Sequence, residues 1–497
     1  MALRPAGSIW LKEHFQLPDS GLTHNSFIGS NPSVKMVENG TVEQVYGLKY
    51  APSANHPLNH VEFALKYDDL SLDFLQKVLK RIPEADIIAY IEQTPSGKYA
   101  RIIGFFYEFL INKILVLNKT IRGNYFDLLE KSRYLTGNVI KNTKWRINDN
   151  LPGTASFCPV IRNSRLLENL LSQDIPSRIE QLKNDFSPEV FRRATQYLYN
   201  KETRSSYEIE HLQPSSVRVE RFLKILGTAG LEDPDKMLDE DRLVKLQLAI
   251  VDARFAPSGY RNFQNYIGQS LPNDQEIVHY ISPPPVFISS LMAGLKETAR
   301  KTTGIYSVIR AAIISFGFVY IHPFEDGNGR LHRFLIHDLL AMDGLVPRGL
   351  IIPVSAHMLS HIDDYDQLLE KISKPLMQRV KYDKNAEGEI VVRNPAEIIG
   401  YYRYPDLTEH CIYLARVLSD TISDDMSEEL RFIQHYDEVK KAIQTIADMP
   451  DKEIDRMIMF LHQNKGTLPK RRRDYFSRLT DAEIDRMQLA FRTVFYS

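Results

Sequence analysis

The segment "VYIHPFEDGNGRLHRFL", from Val319 to Leu335, differs in composition from the apolar sequence that flanks it. An apolar run, Ala311 to Ile321, ends at a His-Pro pair, and a second apolar run begins after two glycines and two arginines. Because the residue before a proline is disfavoured in an α-helix, we expect the first helix to end at His322. The pattern therefore predicts two helices joined by a loop that concentrates a histidine, carboxylates, glycines and arginines.

The centre of this loop has the composition of an anion-binding site. Gly327 and Gly329 lack a Cβ, so backbone N–H groups there can approach an oxyanion closely. The positive end of the following helix adds to the attraction. Arg330 and Arg333 are three residues apart and share one face of the first helical turn. Because positive charge at a helix start is unfavourable without an anion, the two arginines predict a bound phosphate.

Two further side chains suggest what is done to this phosphate. Asp326 is a candidate ligand for Mg²⁺, which proteins bind through one or two carboxylates and the oxygens of a substrate phosphate. His322, at the helix end, is a candidate general base. Taken singly, a histidine before proline, a glycine-rich turn and a charged helix start are usually structural. Their fixed order over twelve positions predicts chemistry on a nucleotide phosphate.

The sequence of this segment does not fit other types of ligand-binding site. A calcium loop starting at Asp326 would have Leu331 where glycine is needed and His337 where glutamate is needed. A dinucleotide fingerprint would need a third glycine and a preceding strand, and a P-loop would end in Gly-Lys-Ser/Thr. A zinc site is not expected either, because His332 and His337 are five residues apart and do not share a helical face.

The stretch "HPFEDGNGRLHR" resembles the signature of the Fic family, His-Pro-Phe-x-Asp/Glu-Gly-Asn-Gly-Arg-x-x-Arg, and matches it at every fixed position. The resemblance implies transfer of AMP from ATP to a hydroxyl side chain (Ser, Thr or Tyr) of a target protein, with Mg²⁺ as cofactor. It implies that His322 deprotonates the target hydroxyl, that Phe324 anchors the loop and that Asp326 binds the metal ion. The residues that would hold the phosphates of ATP are Gly327, Asn328, Gly329, Arg330 and Arg333.

A second segment is similar to the flap of this family. Two short runs, Phe263 to Ile267 and Ile277 to Ile281, flank a turn-rich centre and predict a β-hairpin. The resemblance places the flap at about 263–281, where it would bind a segment of the target by strand addition. It also implies that Ile267 and Gly268 lie at the ATP site and that Tyr365, in "DDYDQLL", lies near the adenine.

A third segment, "SSYEIEH" from Ser205 to His211, is similar to the family's inhibitory helix, Ser/Thr-x-x-x-Glu-Gly/Asn. Ser206 and Glu210 occupy its two key positions, whereas His211 departs from the usual Gly or Asn. Ser187 followed by proline predicts the start of a helix that covers about 188–212. The resemblance implies that Glu210 pairs with Arg333 and that the chain inhibits itself.

The composition limits the other classes of function. The 497 residues include 62 Lys+Arg and 63 Asp+Glu, a balance that argues against a protein dominated by nonspecific nucleic-acid binding. The basic run 469–476, "PKRRRDYF", leaves a nucleic-acid-binding C-terminal domain as an alternative, although a cluster of this size in a neutral protein is usually a solvated face. We expect no membrane span and no signal peptide. Two cysteines cannot form a disulfide framework, so the expected location is the cytoplasm.

The expected fold class is mainly α: a Fic-type helical core with a β-hairpin flap, flanked by mostly helical N- and C-terminal domains. We expect an N-terminal extension of unknown role at 1–178, a catalytic domain at 179–375 and a C-terminal helical domain at 376–497, with no internal repeat. Removal of AMP, or transfer of another phosphate-containing group, is the main alternative activity, and self-modification is a further expectation. The sequence identifies neither the target protein nor the oligomeric state.

Overall fold

The computed structural model describes residues 3–496 except 19–21, 38–40, 54–55, 252–253, 255–257, 272–275 and 386–387. The described chain is mainly α-helical, as predicted. No helix within these ranges is both long and apolar enough to cross a membrane.

The N-terminal part combines helices with two small sheets. A four-stranded sheet has the order β1-β2-β4-β3, and a three-stranded sheet has the order β5-β7-β6. The strands are β1 (Arg4–Ala6), β2 (His24–Gly29), β3 (Ser33–Met36), β4 (Val42–Gly47), β5 (Phe126–Asp127), β6 (Ile140–Asn142) and β7 (Ile147–Asp149). The helices are α1 (Gly7–His14), α2 (Pro57–Tyr67), α3 (Leu72–Leu79), α4 (Glu84–Gln93) and α5 (Lys98–Ile111).

The sequence predicts a mostly helical N-terminal part and does not reveal these two sheets. The strands have two to six residues, and turn residues such as Pro5, Asn25 and Ser26 lie within them. Strands this short do not produce a clear alternation of apolar and polar residues. Helix α5 ends at Ile111, because Asn112 adopts a left-handed conformation with a φ of 58°.

The central part contains most of the remaining helices and two hairpins. Its helices are α6 (Arg165–Leu171), α7 (Ile175–Asp185), α8 (Pro188–Glu208), α9 (Ser216–Leu226), α10 (Glu240–Ile250), α11 (Ile288–Lys301), α12 (Ser307–Ile321), α13 (Asn328–Met342), α14 (Val354–Ser360), α15 (Ile362–Met377), α16 (Pro395–Arg403) and α17 (Thr408–Asp420). Its hairpins are formed by β8 (Tyr266–Ser270) with β9 (Glu276–Ile281), and by β10 (Tyr382–Lys384) with β11 (Ile390–Val392).

Helices α12 and α13 form the centre of this part. Helix α12 is apolar around its whole circumference and is buried on all sides, as expected for such a sequence. Helix α13 packs against it, and α11 and α17 cover its other faces. The loop between α12 and α13 is therefore supported by the most deeply buried pair of helices, which restricts its movement relative to the core.

One loop of the N-terminal part inserts into this core. Phe157 is 1% exposed and lies between Gly294 of α11 and Gly317 of α12. A Cβ at Gly294 would be 2.6 Å from the backbone nitrogen of Phe157, and one at Gly317 would be 2.8 Å from its ring. Glycine at these two positions leaves the space that the loop fills.

The C-terminal part contains α18 (Met426–Ile446), α19 (Asp451–Gln463) and α20 (Asp481–Phe495). A π-helical turn, Thr421–Asp425, joins α17 to α18. Helix α19 starts at Asp451, and Thr480 and Glu483 form a capping box at the start of α20. The main hydrophobic core extends from Phe157 to Leu430, and a separate cluster extends from Val439 to Phe491. Residues 376–430 thus share the core of the central part, although the sequence analysis assigns them to the C-terminal domain.

The C-terminal cluster contains a short repeat, contrary to the expectation of none. The pattern Asp-x-Glu-Ile-Asp-Arg-Met occurs at 451–457 and again at 481–487. Each copy forms the start of a helix and buries its isoleucine and its methionine. The basic run between the two copies is partly used within the chain, since Arg472 stacks over Phe460 and Arg473 pairs with Asp481.

Helix α8 is held from the C-terminal side by ion pairs with α18. Arg193 contacts both carboxylate oxygens of Asp437, at 2.7 and 2.6 Å. Lys201 contacts Glu429 at 2.8 Å. Since Ser206 and Glu210 lie at the other end of this helix and just beyond it, these contacts help to fix where the two residues are presented.

Candidate functional site

The loop after α12 is held by buried contacts within itself. His322 ends the helix, as predicted, with a left-handed φ of 51°. Phe324 is fully buried, in keeping with the anchor expected from the sequence. The side chain of Asn328 accepts a hydrogen bond from the backbone nitrogen of Phe324 at 3.0 Å and donates one to its carbonyl at 2.8 Å. Asn328 therefore fixes the loop with its side chain, which leaves only its backbone to face an anion.

The imidazole of His322 has the protonation state that a general base requires. Its Nδ1 lies 3.2 Å from the carbonyl of Val319, so Nδ1 carries the hydrogen and donates it. Nε2 then keeps its lone pair. Burial, with a smaller effect of the positive charge of Arg261, lowers the pKa of His322 to about 4. The side chain is therefore neutral at pH 7.

The two predicted phosphate-binding arginines converge on one carboxylate. Arg330 Nε lies 2.8 Å from Oε2 of Glu210, and Arg333 Nη2 lies 2.7 Å from Oε1. Arg333 also donates to the hydroxyl of Ser206 at 2.8 Å and to its carbonyl at 2.5 Å. Both guanidinium groups are almost fully buried, so a partner for their charges is required in this place.

The carboxylate of Glu210 occupies the start of α13. A Cβ at Gly329 would lie 2.5 Å from Glu210 Oε1, so only glycine leaves room for this oxygen. The sequence predicts an anion at this helix start, and the structure places a glutamate side chain there. Burial acts to lower the pKa of Arg330, but Glu210 and Asp326 outweigh it and the pKa is raised.

The segment that carries Glu210 differs in detail from the predicted helix. Helix α8 begins at Pro188 with Ser187 as its cap, as predicted, but it ends at Glu208. Glu210 lies in the turn that follows, and His211 has a left-handed φ of 55°. Left-handed backbone is favoured by Gly and Asn, and His is also enriched there among other residues. The departure from Gly or Asn at this position is therefore compatible with the same backbone path.

Asp326 is the one acidic side chain of the loop that is exposed to solvent and also contacts Arg330. It is 57% exposed, and its Oδ1 accepts from Arg330 at 2.7 Å and from the backbone nitrogen of Gly327 at 2.6 Å. Gln247 holds its carbonyl at 3.0 Å. Among the described residues, no three His, Cys, Asp or Glu side chains are grouped as metal ligands. A single exposed carboxylate fits Mg²⁺ that shares its other ligands with phosphate oxygens and water.

The structure places Tyr365 in the core, behind the arginines. It is 3% exposed, and its ring lies nearly parallel to that of His332. Burial raises the pKa of its hydroxyl, and the nearby charge of Arg333 opposes this. In this conformation Tyr365 does not line an open pocket for a base.

The predicted hairpin is present, with its first strand shifted. Strand β8 begins at Tyr266, three residues after the predicted start at Phe263, and it carries a bulge between Ile267 and Gly268. Ile267 is 45% exposed. The centre of the predicted turn, 272–275, lies outside the described residues. Lys384 of the second hairpin pairs with Glu276 and so supports β9.

Several residues that hold the site were missed by the sequence analysis. Asn265 donates to the carbonyl of Glu325 at 3.1 Å, and Arg261 donates to the carbonyl of His322 at 2.8 Å. Glu202 is buried on α8 and contacts His337 Nε2 at 2.8 Å. Of these residues, only Glu202 could have been found from the sequence, because Glu202, Ser206 and Glu210 are spaced four residues apart and share one helical face.

Comparisons with known proteins identify one region of the chain. Residues 237–340 match the Fic/DOC family. A probable protein adenylyltransferase of Aquifex aeolicus (strain VF5) is 26% identical over 168 residues, which cover 30% of this chain and 50% of that protein. A protein named protein adenylyltransferase Fic, from Drosophila mojavensis, is 32% identical over 96 residues, which cover 19% and 17%. The matches thus span half of the bacterial relative and less than a fifth of the insect one.

Two solved structures of Fic proteins align with part of this chain. A Fic family protein from Desulfovibrio desulfuricans G20 aligns over 56% of this chain and 80% of its own, with 17% identity and a TM-score of 0.38. A Fic domain containing signaling protein from Bacteroides thetaiotaomicron VPI-5482 aligns over 53% and 97%, with 17% identity and a TM-score of 0.32.

The protonation of His322 is directly measurable. Because burial disfavours the imidazolium, its pKa in the folded chain lies near 4, below the value of about 6.5 for a free histidine. The unfolded chain then binds more protons between these two values, so this group destabilises the fold as the pH falls from 6.5 to 4. We expect an NMR titration of histidine-labelled protein to give a midpoint near 4 for His322, with His322→Gln used to assign its signal. A midpoint at 6 or above would contradict the neutral state derived from the structure.

Proposed function

We propose that this chain, of which residues 237–340 match the Fic/DOC family, transfers AMP from ATP to a hydroxyl side chain of a protein. The observation that carries the proposal is the position of a neutral histidine, His322, at the end of α12, beside an anion cradle at the start of α13. The matched relatives named protein adenylyltransferase support it. Ser, Thr and Tyr are the target residues that we propose.

The geometry supports a direct displacement at the α-phosphorus. Nε2 of His322 takes the proton of the target hydroxyl as the hydroxyl oxygen bonds to the α-phosphorus. The bond from that phosphorus to the bridging oxygen breaks, and pyrophosphate leaves with the bonding electrons. The backbone N–H groups at Asn328 and Gly329 are suited to the charge that develops on the α-phosphate oxygens, and the N–H of Gly327 would join them once released from Asp326 Oδ1. Arg330 and Arg333 hold the leaving phosphates.

Transfer of AMP is tested with ATP labelled at the α-phosphate and, in parallel, at the γ-phosphate. We expect protein-bound label from the first and none from the second. Loss of a general base costs roughly 10²–10⁴ in rate, so His322→Ala should abolish measurable labelling. Labelling from the γ-phosphate, or equal labelling by His322→Ala and wild type, would reject the proposed reaction. Mass spectrometry of a labelled lysate would identify the target and would detect self-modification.

We propose Asp326 as the protein ligand of Mg²⁺. When bound, this ion would neutralise negative charge on the phosphates of ATP. Its protein ligand also interacts with Arg330, so the carboxylate links the metal position to the cradle.

Removal of this carboxylate should change the response to metal. We expect Asp326→Ala to raise the concentration of Mg²⁺ needed for half-maximal labelling by about tenfold or more, as expected for the loss of the one charged ligand of an Mg²⁺ site. EDTA should stop labelling by wild type. Glu325→Ala is the matched control, since Glu325 is the neighbouring exposed carboxylate. Full activity of wild type in EDTA, or identical magnesium curves for the two variants, would refute the assignment.

We further propose that Glu210 inhibits the enzyme from within the chain. Its carboxylate contacts both arginines and lies over Gly329, in the place that phosphates need. A nucleotide bound beside it would have its terminal phosphates turned away from these arginines. Because this chemistry depends mainly on position, such a nucleotide would react slowly.

Removing the carboxylate should therefore raise activity. We expect Glu210→Gly to increase the rate of AMP incorporation by about 10–100-fold, since misplacement by 1 Å can cost 10²-fold. Glu208→Gly is the matched control, because Glu208 is an exposed glutamate at the end of the same helix. The combination of Glu210→Gly with His322→Ala should be inactive. Equal rates for wild type and Glu210→Gly, or equal gains in both glycine variants, would reject inhibition by Glu210.

The remaining assignments follow from the same site. We propose that the flap binds the target, with exposed Ile267 and the bulge at Gly268 on the substrate side. For Tyr365 we propose a supporting role behind Arg333, given its burial.

The cytoplasm remains the proposed location. Cys158 and Cys411 are both buried and unpaired, as expected for a reducing compartment.

A further inference from the structure

Arg261 is a buried arginine in the segment that leads into β8. It is 5% exposed, and burial lowers its pKa to about 10, so it still carries a charge at pH 7. Its guanidinium donates to three backbone carbonyls, those of His322 at 2.8 Å, Phe263 at 2.7 Å and Pro283 at 2.7 Å. Within the described ranges, no carboxylate forms an ion pair with it. A buried charge satisfied only by carbonyls is costly, which suggests a function that depends on this geometry.

The three carbonyls belong to three different segments. His322 belongs to the loop between α12 and α13, Phe263 precedes β8, and Pro283 follows β9. The backbone nitrogen of Arg261 also donates to the carbonyl of Pro323 at 2.9 Å. One residue therefore connects both ends of the flap to the histidine and to the proline that follows it.

This connection determines a distance that the proposed reaction needs. A hydroxyl presented along the flap must come within hydrogen-bond distance of Nε2 of His322. The left-handed backbone of His322 sets the direction of its carbonyl, and Arg261 Nε holds that carbonyl. A shift of either flap strand relative to the loop would thus be opposed by the same planar guanidinium.

We propose that Arg261 is a positioning residue that fixes His322 relative to the flap, so that a target hydroxyl meets the imidazole. This inference rests on the proposed AMP transfer. It assigns no contact with ATP to Arg261, because its three side-chain hydrogen bonds all go to backbone carbonyls.

The charge of Arg261 provides a second readout. The groups that act on the imidazole are Arg261, which lowers its pKa, Asp326, which raises it, and the carbonyl of Val319. Loss of the Arg261 charge should therefore move the His322 pKa upward. A lysine at the same position would keep the charge but would lose the planar arrangement of donors that reaches three carbonyls.

The test compares Arg261→Met and Arg261→Lys with a matched control, Arg101→Met. Arg101 is also 5% exposed and also donates to carbonyls, at Asn124 and Arg146, but it lies in the N-terminal part. We expect Arg261→Met to lower kcat for target labelling by about 10²-fold and Arg261→Lys by about tenfold, with ATP affinity unchanged. Arg101→Met should lower the melting temperature as much as Arg261→Met does, but it should leave kcat unchanged. The His322 titration midpoint should rise in Arg261→Met and stay near 4 in Arg261→Lys.

Amide hydrogen exchange separates failure of this inference from failure of the proposed function. Exchange in β8 and β9 should increase in Arg261→Met and not in Arg101→Met, whether or not the wild-type chain transfers AMP. Unchanged flap exchange together with an unchanged His322 midpoint would overturn the role of Arg261. A fall in kcat that is equal in Arg261→Met and Arg101→Met would do the same. If neither wild type nor Glu210→Gly transfers AMP, but Arg261→Met shows the increased exchange in β8 and β9 and the raised His322 midpoint, only the proposed function would be refuted.

Discussion

The carboxylate of Glu210, held between Arg330 and Arg333, is the interaction on which the candidate site depends. Two guanidinium groups buried at a helix start lose their hydration and are repelled by the positive end of the helix dipole. An anion between them offsets both unfavourable effects. In this structure that anion is supplied by the chain itself. The same arrangement thus stabilises the protein and, in the function that we propose, occupies the position that the phosphates require.

The rest of the fold explains why this contact is well defined. Helix α12 is buried on all sides and ends in a single left-handed residue, His322. The loop then closes on itself through Asn328, and α13 starts where Glu210 can reach it. From the opposite side, α8 is aligned by its ion pairs with α18 and places Glu210 two residues beyond its end. His322, the start of α13 and Glu210 are therefore each positioned by a different helix.

Much of the site could be predicted from the sequence, because its chemistry lies in one short segment. The end of α12 at His322, the burial of Phe324 and the pair between Glu210 and Arg333 all follow from local pattern or from resemblance to the Fic family. The extent of α8 was overestimated, since helical periodicity does not reveal that His211 adopts left-handed backbone. The involvement of Arg330 in the same ion pair was not foreseen either, because it depends on where the turn after α8 meets α13.

The features that the sequence did not predict are mostly long-range. The N-terminal sheets consist of strands too short for a periodic signal, and Phe157 fills a space that two distant glycines leave. Arg261 lies among turn residues and has no pattern of its own, yet it connects the flap to His322. The repeat at 451–457 and 481–487 was visible in the sequence but became meaningful only when both copies were seen to start helices with the same buried residues.

The most direct test is a structure of the Glu210→Gly variant with a non-hydrolysable ATP analogue and Mg²⁺. We predict that the terminal phosphates lie within hydrogen-bond distance of Arg330 and Arg333, in the place of the Glu210 carboxylate. We also predict that the α-phosphorus faces Nε2 of His322. Phosphates bound away from both arginines, or an analogue bound in the same pose when Glu210 is present, would contradict inhibition by Glu210 at this site.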